Sequence, residues 1–212
     1  MNSFDLMAQS FDTEYRISRA RVVAEAIRDK IDLIDKRNVL EFGCGTGLVT
    51  VNLIRDIDKL TLVDSSEGML RELKTKLSKV CMDSMIHVHK DIFSHELIAN
   101  SYDLLYSSMV LHHIHDIDSI AIRFNELLRD EGTLCIIDLL PVEKEYHSNE
   151  PDFNGYHGFD PEWLTEQLSK QGFAKESIDI IYTDSRLINN KKVDYSLFMI
   201  IMKNKASRNI HG

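Results

Sequence analysis

Val39-Leu40-Glu41-Phe42-Gly43-Cys44-Gly45-Thr46-Gly47-Leu48 reads as a buried strand that runs into a glycine-rich turn and then a helix. Apolar Val39, Leu40 and Phe42 suit a parallel strand covered on both faces. Glycines at alternate positions let the backbone bend tightly and approach a ligand closely, because no Cβ stands in the way. Thr46 is placed to cap a helix running through Leu48, Val49, Val51, Leu53 and Ile54. The free N–H groups at such a helix start attract the polar or anionic part of a ligand. A dinucleotide fingerprint needs G-x-G-x-x-G. Here Leu48 stands at its third glycine, and the pattern is E-x-G-x-G-x-G. Glu41 at the strand end suits a cation or an amine better than a pyrophosphate.

Composition narrows the classes. The 212 residues, 43% of them hydrophobic, fit one domain with a sizeable core. Lys+Arg number 25 against 34 Asp+Glu, a formal charge of −9, so the chain repels a polyanion and nucleic acid is not expected as a partner. Cys44, Cys81 and Cys135 are scattered with no CxxC pair, as expected of reduced, inert thiols in an intracellular protein with no metal site. No apolar run is long enough for a membrane span and no export signal is evident, so the expectation is a cytoplasmic protein without a membrane partner.

Further elements follow in βα order. A helix patterned by Ala20, Val23, Ala24, Ile27 and Ile31, with Asp12 or Ser18 as its cap, precedes the first strand. Residues 1–36 thus form an N-terminal helical segment, which either packs on the sheet or folds over a ligand as a lid. Lys59–Asp64 is a second strand ending in an acid about 20 residues past the first glycine, where a ribose-binding carboxylate belongs. Asp64 could instead cap the helix near Glu67, a task Ser65 and Ser66 can also perform. Met85–His89 is a third strand, followed by Asp91-Ile92-Phe93. Tyr102–Ser107 is a fourth, leading into Ser108-Met109-Val110-Leu111-His112-His113-Ile114-His115-Asp116. Gly132–Asp138 is a fifth. Residues 141–158 show little periodicity, and so long a loop is usually functional. Asp160-Pro161 marks a helix start. Ser177–Tyr182 and Tyr195–Met202 read as a hairpin turning at Asn189-Asn190-Lys191-Lys192.

The E-x-G-x-G-x-G strand end, Asp64, the Asp91-Ile92-Phe93 step, and the Y-D-L strand closing on L-H-H-I-x-D together resemble the class I S-adenosylmethionine-dependent methyltransferases that act on small molecules. That resemblance implies an α/β, doubly wound, Rossmann-like sheet of seven strands, the last antiparallel, with helices on both faces, in a single domain over 1–212. It implies S-adenosylmethionine as cofactor, with S-adenosylhomocysteine as product. Its cofactor site maps to Glu41, Gly43, Cys44 and Gly45, to Asp64 and Ser65 at the ribose, and to Asp91 and Ile92 at the adenine. Met69 lies near the adenine or is a plain core methionine. Ser107, Ser108 and Met109 hold the methionine part, and Tyr15 belongs to a lid.

The acceptor is expected to be a small molecule, met by the 141–158 loop and the N-terminal segment. Candidate acceptor contacts are Asp138, Tyr146, Tyr156 and His157, Asp138 being equally readable as a solvated strand-end acid. His112 and His113 are the candidate general bases, since a histidine near neutral pKa suits proton abstraction. One of two adjacent histidines is expected only to pack. Two other readings remain: a protein that binds S-adenosylmethionine or S-adenosylhomocysteine without catalysis, and a nicotinamide-dependent oxidoreductase. RNA or protein methylation is a weaker possibility. The replaced L-x-P-G-G turn at Leu128–Gly132 predicts a different turn geometry.

Overall fold

A computed structural model describes residues 3–80, 85–148, 150 and 153–205. Cys81 lies outside them. Seven strands form one sheet: β1 Asn38–Phe42, β2 Lys59–Val63, β3 Met85–His89, β4 Tyr102–Ser108, β5 Leu128–Leu139, β6 Phe173–Ile188 and β7 Lys191–Asn204. Their order is β3-β2-β1-β4-β5-β7-β6. The first five run parallel, and β7 is antiparallel to both β5 and β6. The seven-stranded sheet with an antiparallel last strand is therefore as the resemblance implied.

Successive strand residues point to opposite faces, and both faces are buried. Val39, Tyr106 and Ile137 join a core with α2 (Glu14–Lys30), α3 (Thr50–Leu53) and α4 (Glu67–Leu77). Leu40, Leu105 and Ile136 join a second core with α5 (Ile117–Leu127) and α6 (Pro161–Lys170). A short helix, α1 (Ser3–Met7), precedes them.

Several local expectations need correction. Regular helix after the glycine turn begins only at Thr50, and Val49 precedes it with no side-chain cap. Thr46 instead donates its hydroxyl to Asp12 at 2.5 Å. Thr13, not Asp12 or Ser18, caps α2. Ser66 caps α4, which leaves Asp64 free of that task. Asp116 caps α5 and Asp160 caps α6, Pro161 standing at its first turn.

The hairpin strands are longer than their apolar runs suggest, because antiparallel pairing continues from Phe173↔Asn204 to Ile188↔Lys191. Asn189 and Asn190 close it at φ 49° and 62°, a left-handed pair that matches the twist of a two-residue hairpin. Glu131 stands where the methyltransferase-like turn would have glycine, and it adopts φ 58°. That left-handed conformation is one glycine accepts more readily than a residue with a Cβ.

Candidate cofactor and acceptor site

A cavity of about 460 Å³ opens where β1 and β4 diverge to their separate neighbours, along the C-terminal ends of the strands. That is the topological switch point at which doubly wound sheets hold ligands. The glycine turn forms its floor. The N–H groups of Gly43 and Cys44 donate to Val63 O at 2.7 and 3.1 Å, tying the turn to β2. Gly43 has φ +73°, and a Cβ there would lie 2.2 Å from Val110 Cγ2, so only glycine fits. A Cβ on Gly45 would meet nothing within 4 Å, so that position faces open space at the cavity wall.

Glu41 is 3% exposed and sits under this floor. Thr50 and Tyr106 donate hydroxyl protons to its Oε2. It forms no salt bridge among the described residues. Burial, opposed by those two hydrogen bonds, raises its carboxyl from 4.5 to about 7, and Asp64 adds to the rise. At the end of β2, Asp64 Oδ2 accepts from Gly45 N and Oδ1 from Ser66 N, each at 2.8 Å. Each carboxylate oxygen retains acceptor capacity for a ligand hydroxyl. Burial raises this carboxyl too, against the pull of the two N–H groups. Asp91 is exposed and accepts from Phe93 N at 2.9 Å, which sets the turn that carries buried Ile92 into the wall.

Past β4, Met109 holds φ 60° and donates its N–H to Ile137 O at 2.9 Å. Beyond it His112 and His113 line the cavity. His112 Nδ1 lies 2.6 Å from Asp138 Oδ1, and both side chains are essentially buried. Asp138 also accepts from Leu139 N at 2.8 Å and His112 N at 3.3 Å. Burial pushes its carboxyl upward, but the interaction with the adjoining His112 ring and these hydrogen bonds outweigh it and hold it below the usual range. An ionised Asp138 only accepts, so the shared proton belongs on Nδ1, and Nε2 is left as the basic nitrogen. His113 differs. Burial and the neighbouring His112 push it down to about 3, against Asp138, so it stays neutral. Its ring packs edge-on against Phe4 at 5.1 Å.

The N-terminal segment crosses this cavity. Phe4, Met7 and Phe11 line it. Asp5 accepts from Ser66 Oγ at 2.7 Å and Gly68 N at 2.8 Å, fastening the segment to the start of α4. Asp12 pairs with Lys76 and with Thr46 over the glycine turn.

Of the residues singled out from sequence, the cavity wall gathers Glu41, Gly43, Cys44, Gly45, Asp64, Ser65, Met69, Asp91, Ile92, Ser108, Met109, His112, His113 and Tyr146. Five lie outside it. Ser107 donates to Phe42 O at 3.0 Å within the sheet. Tyr15 packs against Tyr195, and its hydroxyl accepts from Arg19 at 3.2 Å. Asp138 stands behind His112 with no exposure, which excludes a solvated strand-end acid. Tyr156 packs against Phe159, and His157 faces His147 with the two Nδ1 atoms 3.2 Å apart.

Sequence reasoning missed Arg16, Arg19, Glu150 and Arg186, all in the wall. Arg16 and Arg19 share one face of α2 by their spacing, a readable signal. Arg186 lies far along the chain on β6 and gives none.

The model for a methyltransferase domain matches residues 40–136. An uncharacterized methyltransferase of Mycobacterium tuberculosis is 30% identical over 118 residues, which are 56% of this chain and 58% of the relative. The chain thus spans less than two thirds of the length of such curated relatives. Among solved structures, an S-adenosylmethionine dependent methyltransferase from Mesorhizobium loti superposes with TM-score 0.64 at 15% identity, over 84% of this chain and 96% of that one. The [4+2]-cyclase SpnF superposes with TM-score 0.70 at 13% identity, over 88% and 81%. Residues 40–136 thus match a methyltransferase domain, and the fold is the one solved for S-adenosylmethionine-dependent methyltransferases. No helix among the described residues is long and apolar enough to cross a membrane.

Proposed function

We propose that this protein is an S-adenosylmethionine-dependent methyltransferase whose acceptor is a small molecule. The observation that carries the reading is Glu41: a buried carboxyl at a cavity wall, raised to about 7 and paired with no cation among the described residues. A ligand's ammonium group would supply the missing charge, which a pyrophosphate would not. The rest of the wall fits the same cofactor. Asp64 would take ribose hydroxyls, Asp91 and Ile92 the adenine, and Ser108 and Met109 the methionine part.

When bound, the cofactor supplies a methyl group already activated on a sulfonium. The chain's own task is then mainly alignment and exclusion of water. The strap carrying Phe4, Met7 and Phe11 serves the second purpose. His112 Nε2 accepts a proton where the acceptor must lose one, and Asp138 holds the ring for it. His113, neutral and packed on Phe4, shapes the pocket.

Calorimetric titration with S-adenosylhomocysteine tests the reading, with NADH in parallel. Micromolar binding of the first and none of the second is expected, and NADH binding alone would overturn it. Asp64→Ala is expected to weaken S-adenosylhomocysteine by about 2 kcal/mol through lost hydroxyl contacts. Unchanged affinity would leave Asp64 as a clasp for Gly45 only. Because a cyclase shares the fold, transfer itself needs a labelled-methyl assay.

A further inference from the structure

We infer that the methyl acceptor is an anion, a carboxylate-bearing small molecule held by Arg16, Arg19 and Arg186 together with the Tyr146 hydroxyl. This rests on the methyltransferase reading and names the acceptor's class. The three guanidinium groups come from α2 and β6 and all line the cavity, Arg19 and Arg186 lying 5.3 and 5.2 Å from the same Tyr15 ring centre and Arg16 close enough to feel both charges. All three are half-buried, and none forms a salt bridge among the described residues.

Their hydrogen bonds leave most donors unused. Arg16 donates to Phe11 O at 3.1 Å and Arg19 to Tyr15 Oη at 3.2 Å. A guanidinium carries five N–H donors in a planar fork that suits a carboxylate. The groups are held by aromatic plates: Arg16 lies 4.1 Å from the Phe11 ring centre, and Arg186 lies 5.2 Å from Tyr15 and 4.9 Å from Tyr146. Binding therefore needs little side-chain ordering.

Tyr146 adds a second, independent observation. It is 2% exposed and lines the cavity, and its hydroxyl has no hydrogen-bond partner among the described residues. The Tyr15 phenol lies beside it without reaching hydrogen-bond geometry. A buried hydroxyl in a cavity wall is satisfied by a ligand oxygen.

Charge points the same way. Burial, and the like charges of Arg19 and Arg186, lower the pKa of Arg16. Among the described residues the acid that opposes them in the cavity wall is Glu150, which pairs with none of the three within salt-bridge distance. One carboxylate against three guanidiniums leaves an excess of two positive charges. The amino acid carboxylate of the cofactor can offset one. The other remains for the acceptor, inside a chain whose net charge is −9.

The experiment loads the protein with S-adenosylhomocysteine, so that the cofactor's own carboxylate is in place. Benzoate is then titrated while the arginine Nε–H resonances are followed by NMR, with benzamide as the neutral control. The expected result is a saturable benzoate shift at Arg186, absent with benzamide. Arg186→Gln is expected to weaken benzoate about tenfold, or about 1.4 kcal/mol, with S-adenosylhomocysteine affinity unchanged. Arg186→Lys, which keeps charge but not the planar fork, should fall between. Competition between benzoate and S-adenosylhomocysteine would overturn the inference, because the cluster would then serve the cofactor carboxylate. Absence of benzoate binding to loaded and free protein would overturn it as well. If S-adenosylhomocysteine itself fails to bind, the methyltransferase reading falls, and benzoate on the free protein still decides whether the cluster is an anion site.

Discussion

Glu41→Gln is expected to make the ligand-free protein more stable above neutral pH and, at the same time, a poorer binder of S-adenosylhomocysteine. The carboxyl is raised to about 7 in the fold, whereas an unfolded chain ionises near 4.5. Between those values the unfolded chain has released its proton and the native protein has not. Native stability therefore falls as pH rises through this window, by ~3 kcal/mol in total once Glu41 ionises. Glutamine has similar shape, and its carbonyl oxygen still accepts from Thr50 and Tyr106. It carries no charge to desolvate. Urea unfolding at about pH 5 should find the two proteins close, and at about pH 8 the variant more stable. Binding reverses the order. An ammonium beside Glu41 favours the ionised form, so wild-type affinity should rise from about pH 6 to pH 8, with a proton released on binding at the lower end. In the variant affinity should be at least tenfold weaker, about 1.4 kcal/mol, and flat across that range. Calorimetry in two buffers of different ionisation enthalpy reads the released proton directly. Equal stability of both proteins at pH 8 would mean that Glu41 is not desolvated in the free protein, and the argument for an amine at this site would lose its basis.

How much of this site was legible follows from where its signals lie. The floor is local: Glu41, the glycines and the strand share one stretch, and the backbone demands of Gly43 are written there. Asp64 and Asp91 each end a strand, so parallel pairing of β1, β2 and β3 brings them to one edge once the sheet is assigned. His112 and Asp138 are 26 positions apart and meet because β4 and β5 pair in parallel, Ser107 opposite Ile136. Strand ends can be aligned from sequence, but which way each side chain turns cannot. Sequence thus left Asp138 between acceptor contact and surface acid, whereas its hydrogen bonds make it the orienting partner of His112. The capping of α2 by Thr13 is missed because the reading rests on Asp12 or Ser18, and Asp12 is drawn away by Thr46 and Lys76. Arg186 was invisible for a different reason. It sits near the end of an antiparallel strand that extends well past its apolar run, so no periodicity marked the segment as structured.

Asp138→Asn is expected to reduce methyl transfer by about 10² to 10⁴-fold while leaving S-adenosylhomocysteine affinity within about twofold. The loss follows from the tautomer. Ionised Asp138 fixes the proton on His112 Nδ1 and keeps Nε2 free to accept one. An asparagine at the same place can present its NH₂ to Nδ1, which then becomes the acceptor and moves the ring proton to Nε2. The ring would stay in position with its basic nitrogen turned away from the reaction. His112→Ala should lose a similar factor, and the double variant should lose little more, since two groups acting as one unit are not additive. A purely structural pair would behave otherwise. Removing either partner would lower stability, and any activity lost would track the fraction unfolded. Imidazole nitrogen NMR separates the two without an acceptor in hand. It should report the Nδ1–H form for His112 in the wild type and the Nε2–H form in Asp138→Asn, in a protein still folded by its backbone spectrum. A wild-type Nε2–H form would remove His112 as the base and leave proton acceptance to solvent, because His113, held at about 3, is too weak a base to replace it.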